Sequence, residues 1–344
     1  MVIKRVKLAN FRSHEGFVLD CEPQTTKIIG ENGCGKTSIL EAIYEALQGK
    51  SFRSVDREIV RRGTSFYRVE LDYDDGRKTV VVYDGTKKEF QVEDKKARRL
   101  PKKNKYPIVL FEPDDLNLVG ASPTSRRNYF DRMLGQLSEK YGEALNRYNK
   151  ALKQRNELLK NEHIGKADLF SWNLLLTRYG VALMEQRRFG IERINREVTE
   201  TYRSIAENGD EIELEYVTEV RGEDEFLRVL EENFERDRLL GHTTYGVHRD
   251  NYEFSFNGAK ADGSASRGEV RSLVIALKFI EAGMVAEKLG KQPVVLLDDV
   301  FSELDETRQK CLVRNFRNSQ MIITSVGSVE DLGGCVVLEK QVEK

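Results

Sequence analysis

The sequence predicts an α/β fold, and three observations carry the prediction. An apolar strand end, Lys27-Ile28-Ile29, runs into a glycine-rich loop, Gly30 to Ser38, and then into a helix whose Ile39, Leu40, Ile43 and Leu47 share one face. Two more apolar runs, Pro293 to Leu297 and Met321 to Ile323, are short and continuous, as parallel strands buried on both faces are. From about Ser125 to Arg238, between the first strand and these two, the apolar period turns helical.

Taken in order, Val2 to Leu8 alternates apolar and basic residues and reads as a half-buried strand, Asn10-Phe11-Arg12-Ser13 as its turn, and Phe17-Val18-Leu19 as the return strand. After the loop and its helix, Arg68 to Tyr73 and Lys78 to Tyr83 form a hairpin around Asp74-Asp75-Gly76. Lys95 to Lys105 then holds seven basic residues and no acid, and Pro107 to Phe111 is a short strand. Leu134, Leu137, Tyr141, Leu145, Tyr148 and Leu152 read as one apolar helix face over several turns, and Trp172, Leu175, Leu176, Tyr179, Leu183 and Met184 as a second long helix. Both stripes are expected to be bundle core, without the sustained heptads of a coiled-coil arm. Ile212 to Val217 returns to strand, Glu223 to Arg238 to helix, and residues 244–257 to β character. A helix opens near Ser266 with apolar positions Leu273, Val274, Ala276, Leu277, Ile280 and Met284, and Val336-Val337-Leu338 closes the fold.

Composition narrows the function. The 344 residues suffice for one large domain or several smaller ones. Lys and Arg number 56 against 57 for Asp and Glu, so overall charge announces no polyanionic partner and any such site must be a local patch. Cys21, Cys34, Cys311 and Cys335 lie far apart without a CxxC pair, which indicates neither a zinc site nor a disulfide framework. No apolar run approaches bilayer length, and the N-terminus alternates like a strand instead of showing a signal peptide's apolar block. A soluble cytoplasmic protein is expected.

Gly30-Glu31-Asn32-Gly33-Cys34-Gly35-Lys36-Thr37-Ser38 meets every fixed position of GxxxxGK[ST], between the strand and the helix that the motif requires. Glycines at 30, 33 and 35 let the backbone bend until its N–H groups point at phosphate oxygens, and the new helix adds the positive end of its dipole. Lys36 is then placed for the β- and γ-phosphates and Thr37 for Mg²⁺, whereas Cys34 reads as a small residue turned away. The chain is therefore expected to bind a nucleoside triphosphate. The apolar run at 293–297 ends in Asp298-Asp299, and strand ends of an open parallel sheet face the ligand. Asp298 is the candidate for the Mg²⁺ shell and Asp299 for activating the attacking water. Ser266-Arg267-Gly268 marks a helix N-terminus that can either be a serine cap or meet an anion.

These residues resemble the ABC-type ATPases of DNA maintenance, and within them the RecF family of recombination mediators. The resemblance runs along nearly the whole chain: the strand ending Asn10-Phe11-Arg12, the loop and helix from Gly30 to Tyr44, Gly49 to Arg53, Phe111 to Asp131, Tyr148 to Lys160, Gly246 to Asp250, and Leu296 to Asp305. The second aspartate, Asp299, stands where most ABC ATPases have glutamate. Two departures are present: the signature is Ser266-Arg267-Gly268-Glu269-Val270-Arg271 instead of a sequence like SQGQQR, and GPHRD is replaced by Gly246-Val247-His248-Arg249-Asp250.

The resemblance implies an ABC-type P-loop ATPase head with a discontinuous ATPase lobe, residues 1–120 and 241–344, and an inserted helical lobe, residues 121–240. It implies ATP and Mg²⁺ as ligands, and Ser266 with Gly268 capping the γ-phosphate held by Lys36 of a second copy in an ATP-dependent homodimer. Ser325 stands at the place of the histidine switch of many ABC proteins. Hydrolysis is expected to be slow, because Asp299 is one methylene shorter than glutamate. Gapped, junction or duplex DNA is the implied partner, contacted through Arg53, Arg57, Arg61, Arg62, Lys102, Lys103 and Lys105, with RecA loading assisted by RecR and RecO. A transporter motor and an SMC-type structural head are the alternatives. The basic run argues against the first, and an insert too short for long arms argues against the second. The close of the chain soon after its last core strand leaves no room for a fused nuclease domain.

Overall fold

The computed structural model describes residues 1–93, 95–327 and 334–338, so part of the expected 241–344 segment lies outside the described residues. The chain divides into two compact units, Met1–Asp115 with Glu281–Lys344, and Leu116–Ile280.

In the first unit β1 (Ile3–Phe11), β2 (His14–Asp20) and β3 (Thr25–Gly30) precede α1 (Lys36–Gln48) and the single turn α2 (Asp56–Ile59). Then come β4 (Tyr67–Tyr73), β5 (Lys78–Tyr83), β6 (Lys88–Val92), β7 (Lys95–Ala97) and β8 (Ile108–Phe111). The second unit holds α3 (Pro123–Leu137), α4 (Glu139–Leu159), α5 (Lys166–Asn195), α6 (Val198–Ala206), β9 (Ile212–Val217), α7 (Glu223–Glu232), α8 (Phe234–Leu240), β10 (Asn251–Phe256) and β11 (Ala259–Lys260). Helix α9 (Arg267–Leu289) leads back to the first unit, which adds β12 (Val294–Leu297), α10 (Glu306–Asn315), β13 (Met321–Ser325) and β14 (Gly334–Leu338).

Two sheets build the first unit. One is wholly parallel, in the order β14-β3-β13-β12-β8, and so joins strands from both ends of the chain. The other is an antiparallel meander, β2-β1-β4-β5-β6-β7. Helix α1 touches strands of both, so it is covered on more than the one face its periodicity suggests. Ile39, Leu40, Ile43 and Leu47 are buried, but so are Glu41 (1% exposed) and Glu45 (0%). Carboxylates so placed need partners. Glu45 finds Lys88 Nζ at 2.9 Å and the Tyr67 hydroxyl at 2.7 Å.

The helical segment departs from the sequence expectation at its joints. The apolar face read as continuous from Leu134 to Leu152 is broken at Ser138, whose extended backbone ends α3 and whose Oγ caps α4 by accepting the Tyr141 N–H at 3.2 Å. The expected helix 223–238 is likewise divided at Asn233. Of the β character expected over 244–257, only Asn251–Phe256 is strand. That strand also moves the division of the chain. β10 pairs with β9, and Asp250 is buried against Arg187, so residues 241–280 group with the inserted unit instead of beginning the ATPase lobe at 241. The open edge of β9 is covered by side chains: Asn195 Nδ2 donates to Leu214 O, and Thr199 Oγ1 to Ile212 O, both at 2.8 Å. Among the described residues no helix is long and apolar enough to cross a membrane.

Candidate nucleotide site

Neighbouring parallel strands end together. β3, β13 and β12 are adjacent, with Ser325 paired to Ile29 and Leu297 to Ile323, so the loop after Gly30, the Thr324–Ser325 end and Asp298-Asp299 share one edge of the sheet. The loop conformation follows from its glycines. Gly33 and Gly35 have φ of 82° and 97°, values that L side chains rarely adopt. At Gly35 a Cβ would also lie 2.5 Å from His14 Nε2. Gly30 serves differently: its φ is ordinary, but a Cβ there would lie 2.6 Å from Cys34 Sγ and 2.8 Å from Leu338 O. Cys34 is buried, in line with a small residue packed behind the loop. Glu31, Asn32 and Gly33 are exposed at the loop's tip, Ser38 is half-buried in the first turn of α1, and no side chain caps that helix start.

Lys36 is 3% exposed, and its Nζ donates to Gly30 O at 2.8 Å and Glu31 O at 3.1 Å, with Asp299 Oδ2 3.7 Å away. Thr37 Oγ1 donates to Asp298 Oδ1 at 2.9 Å across 261 residues of sequence. The same carboxylate oxygen lies 2.9 Å from Thr324 Oγ1, which accepts the Asp299 N–H at 2.9 Å. Asp299 occupies the left-handed region (φ 50°), and its Oδ1 is buried with no hydrogen-bond partner among the described residues. Burial raises the pKa of Asp299, with Lys36 pulling the other way and Asp298 adding to the rise. The buried imidazole of His14, 3.1 Å from Gly35 O, is held below its ordinary pKa by that burial.

A hydroxyl and a carboxylate 2.9 Å apart are a hard-oxygen donor set of the kind Mg²⁺ takes. Beside them stand a buried ammonium and a carboxylate oxygen that has no hydrogen-bond partner among the described residues. The residues present therefore fit a Mg²⁺-triphosphate.

Ser325, next to Thr324, belongs to this sheet edge, and the remaining expected residues stand apart from the cluster in sequence. Ser266 is exposed, and its Oγ accepts the Glu269 N–H at 3.2 Å while Glu269 Oε2 takes the Ser266 N–H at 2.6 Å, the reciprocal capping of α9. Gly268 lies in the first turn of that helix. Ser325 is buried. Arg53, Arg57 and Arg62 are exposed between α1 and β4, and Arg61 is half-buried against Glu15 at 3.2 Å. Lys102 and Lys103, in a single 3₁₀ turn, and Lys105 after it are exposed, and the run is anchored by buried Leu100.

Two residues were missed by reading sequence alone. Arg12, in the left-handed region (φ 56°), reaches Glu41 with Nε and Nη2, both at 2.9 Å, and holds Ser54 Oγ at 2.6 Å and Glu58 O at 2.9 Å. Glu41 lies one turn after Thr37 and also accepts from Ser51 Oγ at 2.6 Å. The pair thus ties the arginine-bearing segment to the helix of the phosphate loop. A glutamate inside an apolar helix face was the available signal.

The RecF/RecN/SMC N-terminal domain model matches residues 2–330. The DNA replication and repair protein RecF of Clostridium perfringens is 33% identical over 343 residues, covering 96% of this chain and 94% of that protein. RecF of Moorella thermoacetica is 35% identical over 318 residues, covering 90% and 86%. Two solved structures of the recombination mediator protein RecF in the RecFOR pathway superpose at 27% identity. The one described as RecF-ATPrS gives a TM-score of 0.86 over 98% of this chain and 96% of that one, and the one described as RecF-ATP gives 0.83 over 99% and 96%. With matches of this extent laid over a phosphate loop, an acidic strand end and a split parallel sheet, the chain belongs to the RecF/RecN/SMC N-terminal domain family of ABC-type ATPases, and within it to the RecF proteins.

Proposed function

We propose that this chain is an ATP-dependent DNA-binding protein of RecF type, acting in the cytoplasm. It binds ATP with Mg²⁺ on the loop Gly30–Ser38 and closes as a homodimer over the nucleotide. In that state it holds gapped or junction DNA for RecA loading, with RecR and RecO as partners. The contact that carries the reading is Thr37 Oγ1 to Asp298 Oδ1, because it joins the two halves of a hydrolytic site that the sequence leaves 261 residues apart.

The chain's own groups divide the work. Loop N–H groups and Lys36 Nζ hold the β- and γ-phosphates, and Thr37 with Asp298 holds Mg²⁺, which when bound neutralises charge on those phosphates. Asp299 Oδ1, buried and without a hydrogen-bond partner among the described residues, accepts a proton from the attacking water. The water oxygen bonds to the γ-phosphorus, the bond to the β–γ bridging oxygen breaks, and ADP leaves with that electron pair. The short reach of aspartate keeps turnover below ~10 s⁻¹, a typical enzyme value. Ser266 and Gly268 would meet the γ-phosphate of a second copy. Exposed Arg53, Arg57, Arg62, Lys102, Lys103 and Lys105, with half-buried Arg61, supply DNA phosphate contacts that position without reading bases.

The test is sedimentation of wild type and Asp299→Asn with ATP and Mg²⁺, with and without gapped duplex. The expected result is a dimer in ATP that persists longer in the variant. A protein that stays monomeric at saturating ATP, and binds duplex equally with and without nucleotide, would refute the proposal.

A further inference from the structure

The pentapeptide Gly246-Val247-His248-Arg249-Asp250 takes no part in the chemistry above, yet four of its five residues are anchored in the core of the inserted unit. Gly246 has φ of 131°, and a Cβ there would lie 2.7 Å from Tyr148 Oη and 2.8 Å from Phe226 Cζ. Val247 O accepts from Arg187 Nη1 at 2.8 Å. His248 Nε2 donates to Thr243 O at 3.1 Å, which leaves Nδ1 to accept the Tyr148 hydroxyl at 2.8 Å. Burial, with the charges of Arg249 and Arg127 adding to it, brings the His248 pKa down to about 4, so the ring is neutral at physiological pH. Asp250 accepts from Arg187 Nη1 at 3.0 Å and from the Tyr216 hydroxyl. Arg187 is itself buried, with Asp131 2.9 Å from its Nη2.

Arg249 is the exception. It is exposed, and among the described residues its side chain has no hydrogen bond or ion pair. Beside it, half-buried Arg127 spends Nη1 on Asp250 O at 2.5 Å and Nη2 on Thr124 Oγ1 at 2.9 Å, neither of them a carboxylate. Burial and the charge of Arg187 hold Arg127 below its ordinary pKa, and Arg249 acts in the same sense. Asp131 and Asp250 are in ion-pair contact with Arg187 and act on Arg127 only from further off, and Arg249 has no carboxylate in ion-pair contact among the described residues. Buried ion pairs of the Arg187 kind add little net stability, but they hold backbone in one place. On so constrained a loop an arriving anion has only the Arg249 side chain to order, since the backbone that carries it is already fixed.

We infer that Arg249, backed by Arg127, is a phosphate-binding site on the inserted unit. The inference rests on the reading that the chain handles DNA and a triphosphate. The phosphate is then either a phosphodiester of DNA or the triphosphate held by a second copy, toward which Ser266 of the same unit is proposed to turn.

The test compares wild type, Arg249→Ala and Arg249→Lys, using duplex DNA affinity without nucleotide across a salt series and sedimentation with ATP and Mg²⁺ without DNA. Exposure and lack of partners predict unchanged thermal unfolding. If the ligand is the DNA backbone, Arg249→Ala weakens duplex binding about tenfold and lowers the salt slope by about 0.9, with sedimentation unchanged. If it is the second copy's triphosphate, the ATP-dependent dimer weakens and nucleotide-free DNA affinity stays. Partial recovery by Arg249→Lys supports either arm. An Arg249→Ala protein matching wild type in both assays overturns the site. A wild type inert in both overturns the reading beneath it, and the site with it.

Discussion

Arg12→Met tests whether the phosphate-loop helix depends on a buried charge pair. Glu41 is 1% exposed and receives two guanidinium hydrogen bonds at 2.9 Å, with Ser51 its other partner. Removing one partner of a buried pair costs about 3–5 kcal/mol, because the surviving charge stays desolvated. The lower end applies here, since the Arg12 side chain is 25% exposed and Ser51 remains. For a unit of this size about 3 kcal/mol lowers Tm by about 6–12 °C. Arg12→Met/Glu41→Met should return most of the loss, because no charge is then left buried and the methionines fill comparable space. Calorimetry of the four proteins of the cycle measures this, resolving the two units if they melt separately. Additive single effects, or a loss below about 1 kcal/mol for Arg12→Met (the range of an exposed pair), would refute the coupling.

Asp299→Asn should unfold at a slightly higher temperature than wild type near neutral pH, by less than about 1 kcal/mol given the partial exposure of the group. Burial raises the Asp299 pKa, so the folded chain keeps that proton to higher pH than the unfolded chain, and its loss on raising pH costs stability. The gain should therefore shrink as pH falls toward the ordinary aspartate value. A gain that instead grows in acid would reverse the assignment. Replacing Lys102, Lys103 and Lys105 by glutamate should weaken DNA binding and flatten its salt dependence. Unchanged affinity at low salt would remove this patch from the interface.

The nucleotide loop and the acidic strand end were legible in sequence because each is local. A bend that needs glycine, a strand that must be apolar on both faces and a helix start all leave their marks within a few residues. The same locality explains the errors. Ser138 and Asn233 end helices without interrupting the apolar stripe, so two joints went unseen. The resemblance implies an ATPase lobe that resumes at 241, whereas strand pairing between β9 and β10 and the ion pair of Arg187 with Asp250 group residues 241–280 with the insert. Helix α1 shows one apolar face in sequence, Ile39, Leu40, Ile43 and Leu47, but strands of the second sheet also cover it and bury Glu41 and Glu45.

By itself the sequence determined that this protein has a phosphate loop on a strand–helix junction, and that a second buried strand delivers two aspartates. Only the tertiary structure decided that Thr37 meets Asp298, that Gly30 must clear Leu338, and that Arg12 locks Glu41. These are meetings of residues far apart in the chain. Local conformational preference carries no information about which distant partner will neutralise a buried charge or close a sheet. That choice is made when the whole core is packed at once.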